Sequence, residues 1–165
     1  MIIYFCIMKI KLIAVGKTDD NHIQSCMNEY IKRLGFYVLF EVLIIPDIKN
    51  TKSLSEKQQK TKEADAVLKN IDQSDAVILL DEKGKNYTSE AFSEVLQKKM
   101  NSGIKNLVFI IGGPYGFSEQ LYQRANEKLS LSAMTFSHQM VRLFFVEQLY
   151  RAFTIIKNEP YHHRG

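Results

Sequence analysis

The chain has 165 residues, 45% of them hydrophobic and 24% charged, with a formal charge of +4 and a pI of about 9.0. This composition excludes long disordered stretches, and the length supports one sizeable core without disulfides or a structural metal. The basic excess is mild and suits an RNA or phosphate partner without requiring one.

At the N-terminus, Met1 to Ile7 is apolar and is followed by Met8-Lys9-Ile10-Lys11. It lacks a basic region before the apolar run and a small-residue cleavage site, and it is too short to span a bilayer. Residues 1–7 are therefore expected to be an upstream-start extension, with residues 8–165 forming one domain of a soluble, cytoplasmic protein. Cys6 and Cys26 have no CxxC partner, so free thiols in a reducing compartment are expected. No His/Cys cluster has metal-ligand spacing, and no metal is expected.

Ile10 to Val15 reads as a buried strand ended by Gly16. Asn21 to Leu34 has helical apolar spacing at Ile23, Met27, Tyr30, Ile31 and Leu34, with Gly35 as a stop. Phe40 to Ile45 is a second strand, ended by Pro46, and Asp47 to Ser53 reads as a mobile polar loop. Ser55 is placed to cap a charged helix from Glu56 to about Asn70.

Ala76 to Leu80 is a third strand, with Asp81-Glu82-Lys83-Gly84-Lys85 read as a turn. A helix follows from Thr88 or Ser89, closed by Gly103. Leu107 to Ile111 is a fourth strand leading into Gly112-Gly113-Pro114-Tyr115-Gly116. Ser118 caps a short helix, Leu129 to Phe136 holds a short strand and a loop, and Ser137 to about Lys157 is a long helix that Pro160 is expected to end. Strands alternating with helices predict an α/β fold: a mainly parallel sheet with helices on both faces.

In such a sheet ligands bind beyond the C-terminal strand ends, where the glycine loop sits. Its spacing is neither GxGxxG nor a Walker A loop, which disfavours dinucleotide and nucleotide sites of those kinds. Two more strand ends are expected beside it. One is Leu80-Asp81. The other is Leu129 to Phe136, whose Leu131, Met134 and Phe136 suit apolar walls around an adenine ring; ordinary core packing of those side chains explains them equally well. The long helix is apolar on one face and beyond, which fits deep burial or, preferred here, a homodimer interface. Glu147 and Arg151 stand four apart and can simply pair. The ending Pro160-Tyr161-His162-His163-Arg164-Gly165 carries residues suited to stacking on a base, moving a proton and contacting phosphate.

Five segments recur together in one known family: KIKLIAVGK, VILLDEKGK, FIIGGPYGFS, LSLSAMTFSHQMVRLFFVEQLYRAF and PYHHR. Over residues 8 to 164 the chain resembles the ribosomal large subunit methyltransferase H family, within the SPOUT class. That resemblance implies a SPOUT-type α/β trefoil knot, against general chain-path rules. It also implies a homodimer, S-adenosyl-L-methionine as methyl donor, and methylation at N3 of a pseudouridine in the helix 69 loop of 23S ribosomal RNA. The family's cofactor contacts fall on Leu80, Gly112 and the run Leu131, Ser132, Ala133, Met134, Thr135 and Phe136. Its C-terminal Tyr-His pair falls on Tyr161 and His162. Here His163 precedes Arg164, which leaves open which residue plays the family's basic role.

By residue type, His162 is the first candidate for proton handling and Tyr161 for stacking on the flipped base. Arg142, Arg151 and Arg164 are candidates for phosphates. A methyltransferase acting on tRNA, a non-catalytic ribosome-binding factor and a flavodoxin-like module are the competing readings.

Overall fold

The strands begin as runs of branched apolar residues, whose side chains pack well on a pleated surface covered from both sides. The computed structural model describes residues 8–163; the expectations for residues 1–7, Cys6 and Arg164 fall outside them. In chain order the elements are β1 (Lys9–Val15), α1 (Asn21–Leu34), β2 (Leu39–Ile45), α2 (Glu56–Leu68), β3 (Ala76–Asn86), α3 (Ser89–Asn101), β4 (Asn106–Ile111), α4 (Glu119–Arg124), β5 (Glu127–Ser130) and α5 (His138–Ile156). Among the described residues the five strands form one sheet in the order β2-β1-β4-β3-β5. Every pairing is parallel.

Alternation along each central strand sorts the core into two layers. Ile10, Leu12, Phe109 and Ile111 pack against α1, α3 and α5 through residues such as Met27, Leu96, Phe145 and Leu149. Ile13, Val15, Val108 and Ile110 face the other way, onto Ala64 and Val67 of α2 and Leu121 of α4. Phe109 and Phe145, both fully buried, meet with ring centroids 4.7 Å apart.

Side-chain caps fix the helix starts. Asp20, Thr88, Ser118 and Ser137 each accept from a backbone N–H of the first turn. Ser55 and Gln58 form a reciprocal capping box.

Two expectations are corrected. Residues 81–85 are not a turn ending the third strand. β3 runs on to Asn86, and Leu129 of β5 pairs with both Leu80 and Lys85, so residues 81–84 bulge out between the two pairings. A Cβ on Gly84 would lie 2.7 Å from the Leu129 backbone, so only glycine lets the bulge close over β5. At the other correction, Pro160 does not end the last helix. α5 stops at Ile156, and Asn158 takes a left-handed conformation with φ 59° that reverses the chain.

Both features lie where the sheet's C-terminal edge and the last helix meet function. The bulge overhangs the strand ends, and the reversal folds the tail back along α5. No helix among the described residues is long and apolar enough to cross a membrane. Cys26 is a free, exposed thiol.

Candidate functional site

A cleft of about 900 Å³ opens at the C-terminal ends of β3, β4 and β5. Its floor is the glycine loop, closed into a turn by the Gly116 N–H donating to the Gly113 carbonyl at 3.1 Å. The wall opposite comes from Leu131, Ser132, Met134, Thr135 and Phe136, and Leu80 lines the cleft beside them. Seven of the eight residues expected to contact a cofactor therefore share one cavity; Ala133 belongs to the same loop but is not part of the lining.

Asp81, expected beside the loop, also lines the cleft, and several lining residues are not singled out by the sequence: Lys60, Glu82, Tyr122 and His138. Asp81 accepts from the Tyr122 hydroxyl at 2.6 Å and from the Lys83 N–H at 2.8 Å. Burial and the Asp81 bond push the Tyr122 phenol up to about 12. Glu82 accepts from the Thr135 hydroxyl at 3.2 Å, which ties the bulge to the opposite wall. The cavity thus joins apolar walls and a glycine turn to two carboxylates. That combination suits a flat heteroaromatic group attached to a positive charge.

Behind the glycine loop stands Glu63 of α2, only 4% exposed. Its Oε1 accepts from Gln59 at 2.9 Å, and its buried Oε2 has no partner. A Cβ on Gly113 would lie 2.5 Å from that Oε2, so the loop backbone approaches the Glu63 carboxyl closely and any side chain there would displace it. Burial first, and then the charge of Asp47, hold the Glu63 carboxyl above the usual carboxylate range.

Arg142 is not at the cleft and does not face solvent. It is fully buried, donating from Nη2 to the Val15 carbonyl at 2.7 Å and from Nη1 to Gly16 and Thr18 at 2.8 and 3.0 Å. It fastens α5 to the end of β1, and a guanidinium so enclosed cannot reach a phosphate outside.

The C-terminal tail forms a second polar cluster further along α5. Val141 lines the cleft, while Glu147 and Arg151 follow six and ten residues later, about 9 and 15 Å along the axis at ~1.5 Å per residue. Glu147 pairs with Arg151 at 2.6 Å and accepts the Tyr161 hydroxyl at 2.9 Å. The Tyr161 proton is committed there, so Tyr30 donates to Tyr161 across 3.3 Å. Burial and these two partners raise the Tyr161 pKa well above the usual phenol range, so it stays a phenol and is no base. The Arg151 guanidinium also lies 4.8 Å from the Tyr161 ring centre.

His162 faces Glu90 through Nε2 at 2.8 Å and Arg151 through Nδ1 at 3.4 Å. Arginine only donates, so Nδ1 accepts and Nε2 carries the proton given to Glu90. The His162 contact and a bond within its own backbone hold the Glu90 carboxyl below the usual range. The structure therefore brings Tyr161 and His162 together, but apart from the cleft of their own chain.

The family model described as "Predicted SPOUT methyltransferase" matches residues 8–162. A ribosomal RNA large subunit methyltransferase H from Flavobacterium johnsoniae is 64% identical over 157 residues, covering 95% of this chain and 100% of that protein. The protein of the same name from Parabacteroides distasonis is 59% identical over 156 residues, covering 94% and 99%. The solved structure of a probable methylase family protein from Haemophilus influenzae Rd KW20 matches with a TM-score of 0.56 at 14% identity. It covers 95% of this chain and 71% of the other, and shows the fold alone. The chain belongs to the ribosomal RNA large subunit methyltransferase H family of SPOUT methyltransferases.

Proposed function

We propose that this protein transfers a methyl group from S-adenosyl-L-methionine to N3 of a pseudouridine in the helix 69 loop of 23S ribosomal RNA, as a cytoplasmic homodimer. The observation that carries the reading is the convergence of Leu80, the glycine loop and the Leu131–Phe136 wall on one cleft. The names of the relatives support ribosomal RNA as the substrate. The trefoil knot belongs to the same proposal. It rests on the family to which the chain belongs.

S-adenosylmethionine, when bound, supplies an electrophilic methyl on a sulfonium, which needs no metal. The residues of the cleft fit it: Leu131, Met134 and Phe136 for the adenine, the Gly112–Gly113 backbone for close approach, and Asp81 and Glu82 for positive charge. What remains for the protein is alignment with N3 and removal of the N3 proton. His162 takes that proton at Nδ1, whose 3.4 Å contact with Arg151 is too long to be a strong bond and yields readily to the base. Glu90, accepting at Nε2, steadies the imidazolium that forms. Tyr161 orients the base by stacking, and Arg151 and Arg164 are the candidates for phosphates.

A homodimer through α5 joins the two polar regions. One face of α5 is buried in its own chain, but Phe144 remains 39% exposed, and Phe136 packs against it at 4.9 Å between ring centres. With Met134, 75% exposed beside the cleft, these residues make an apolar surface for a second copy.

The test is mass spectrometry of the helix 69 fragment after incubation of ribosomes with the purified protein and S-adenosylmethionine. A gain of one methyl on a pseudouridine is expected. Methylation of free tRNA instead, or of neither RNA, overturns the assignment.

A further inference from the structure

Among the described residues, two buried side-chain atoms lack a hydrogen-bond partner: Arg142 Nε and Glu63 Oε2. The rest of the Arg142 guanidinium is fully engaged. Glu63 is the exceptional one, because a buried carboxylate with a free oxygen and no cation is costly to keep. Its surroundings offer no internal compensation. Gln59, one turn back on α2, is neutral. Asp47, after β2, carries the same sign of charge. Gly113, from the β4 end, brings only backbone. Lys60 lines the cleft and forms no ion pair with Glu63 among the described residues.

What separates this carboxyl from the cleft is Gly113, which touches Glu63 and also lines the cavity. A positive charge seated in the cleft would thus be the missing counter-charge, felt through one thickness of backbone in a poorly screened place. Resting on the donor reading above, we propose that Glu63 makes the cleft distinguish the cationic methyl donor from the neutral thioether left after transfer. In that transfer the S–CH3 bond breaks, its electron pair stays on sulfur, and the new N–CH3 bond forms at the base, so the sulfur loses its positive charge. The two molecules share the adenosine and the amino-acid group and differ in that charge and one methyl. An attraction that vanishes with the charge helps product leave.

Glu63 is a specificity-determining residue here, not a catalytic one. A unit counter-charge felt through one thickness of backbone at an effective dielectric of ~20 corresponds to a preference on the order of tenfold. The preference requires an ionised carboxylate. Burial and the charge of Asp47 hold Glu63 above the usual range, so a positive charge in the cleft would favour its ionised form, and the preference should grow as pH rises.

The experiment is calorimetric titration of the whole protein with S-adenosylmethionine and with S-adenosylhomocysteine, from pH 5 to 8, in buffers of different ionisation enthalpy. In the wild type, proton release is expected with the donor but not with the product. In Glu63→Gln, which keeps the shape, product affinity should stay within about twofold while the donor preference falls at least about fivefold and loses its pH dependence. Equal weakening of both ligands would reduce Glu63 to a shape-filling role and overturn the inference. An unchanged preference, or equal proton release with both ligands in the wild type, would also overturn it. The wild-type measurement decides the matter alone if the variant does not fold. If neither ligand binds the wild type, the donor reading itself fails, which is a different result from binding without discrimination.

Discussion

The cleft and the tail are built on opposite principles. The cleft is shaped by backbone: a glycine turn, a strand bulge and an apolar loop, with the acids Asp81 and Glu82 at its side. The tail is a web of side chains in which Glu147, Arg151, Tyr161, His162 and Glu90 contact one another. A backbone-shaped cavity can hold a small ligand of fixed outline, such as the adenosine part shared by a methyl donor and its product. A side-chain web anchored at one helix can exchange its partners when a nucleotide arrives. The contrast implies that donor binding and proton handling are separable, and variants can test that.

The largest expected effect bears on the frame both regions share. Arg142→Ala should destabilise the fold by about 3–5 kcal/mol, since the Val15 and Gly16 carbonyls lose their buried donors; denaturant unfolding measures it. A loss below about 1 kcal/mol would show that water replaces the guanidinium. Next comes the tail. His162→Gln should slow methylation by about 100-fold or more while donor affinity stays unchanged; single-turnover assays with calorimetry separate the two. A tighter or weaker donor in that variant would couple the two regions directly.

The cleft has a milder counterpart. Met134 is 75% exposed, so Met134→Lys should leave the secondary structure seen by circular dichroism unchanged but weaken the donor by about tenfold through charge and lost packing. Unaltered affinity would move the donor away from that wall.

The smallest effect concerns Glu63 in the ligand-free protein. Its pKa is raised on folding, so the folded state holds the proton more firmly than the unfolded chain. The Glu63 contribution to stability is therefore fully present below the ordinary carboxyl value of 4.5 and is lost as pH rises through the folded value. Glu63→Gln should remove that contribution, so its stability relative to wild type should rise between pH 4 and pH 8. Parallel pH profiles for the two proteins would contradict it.

Periodicity alone makes most of the frame legible. Apolar spacing from Ile23 to Leu34 locates α1 with both its ends, and the branched runs locate the strands. The bulge at residues 81–84 is not legible, because Asp-Glu-Lys-Gly-Lys has turn composition and its extension depends on pairing with a strand more than forty residues later. The end of the last helix is legible to within a residue, at Ile156 against an expected Lys157, but its cause is not. Pro160 is the visible stop signal, but the reversal is made two residues earlier by Asn158 in the left-handed region.

At the candidate site, strand-end logic and resemblance point to the loops, whereas the buried charges are missed or misplaced. Their signal is nonetheless present in the chain. Glu63 stands four residues before the buried Val67 on α2, and Arg142 stands three and four before the buried Phe145 and Val146. A charged residue on the apolar stripe of a helix is destined for the interior, where it must position something. That rule separates Arg142 from Arg151, which keeps partial exposure beside the tail.

The separation of donor seat from proton-handling tail is tested most directly by a protein ending at Pro160, titrated with S-adenosylmethionine and assayed on ribosomes in one preparation. Donor affinity within about twofold of wild type, with methylation reduced by at least about 100-fold, is the expected result. Full methylation without Tyr161 and His162, or donor binding lost together with activity, would contradict it.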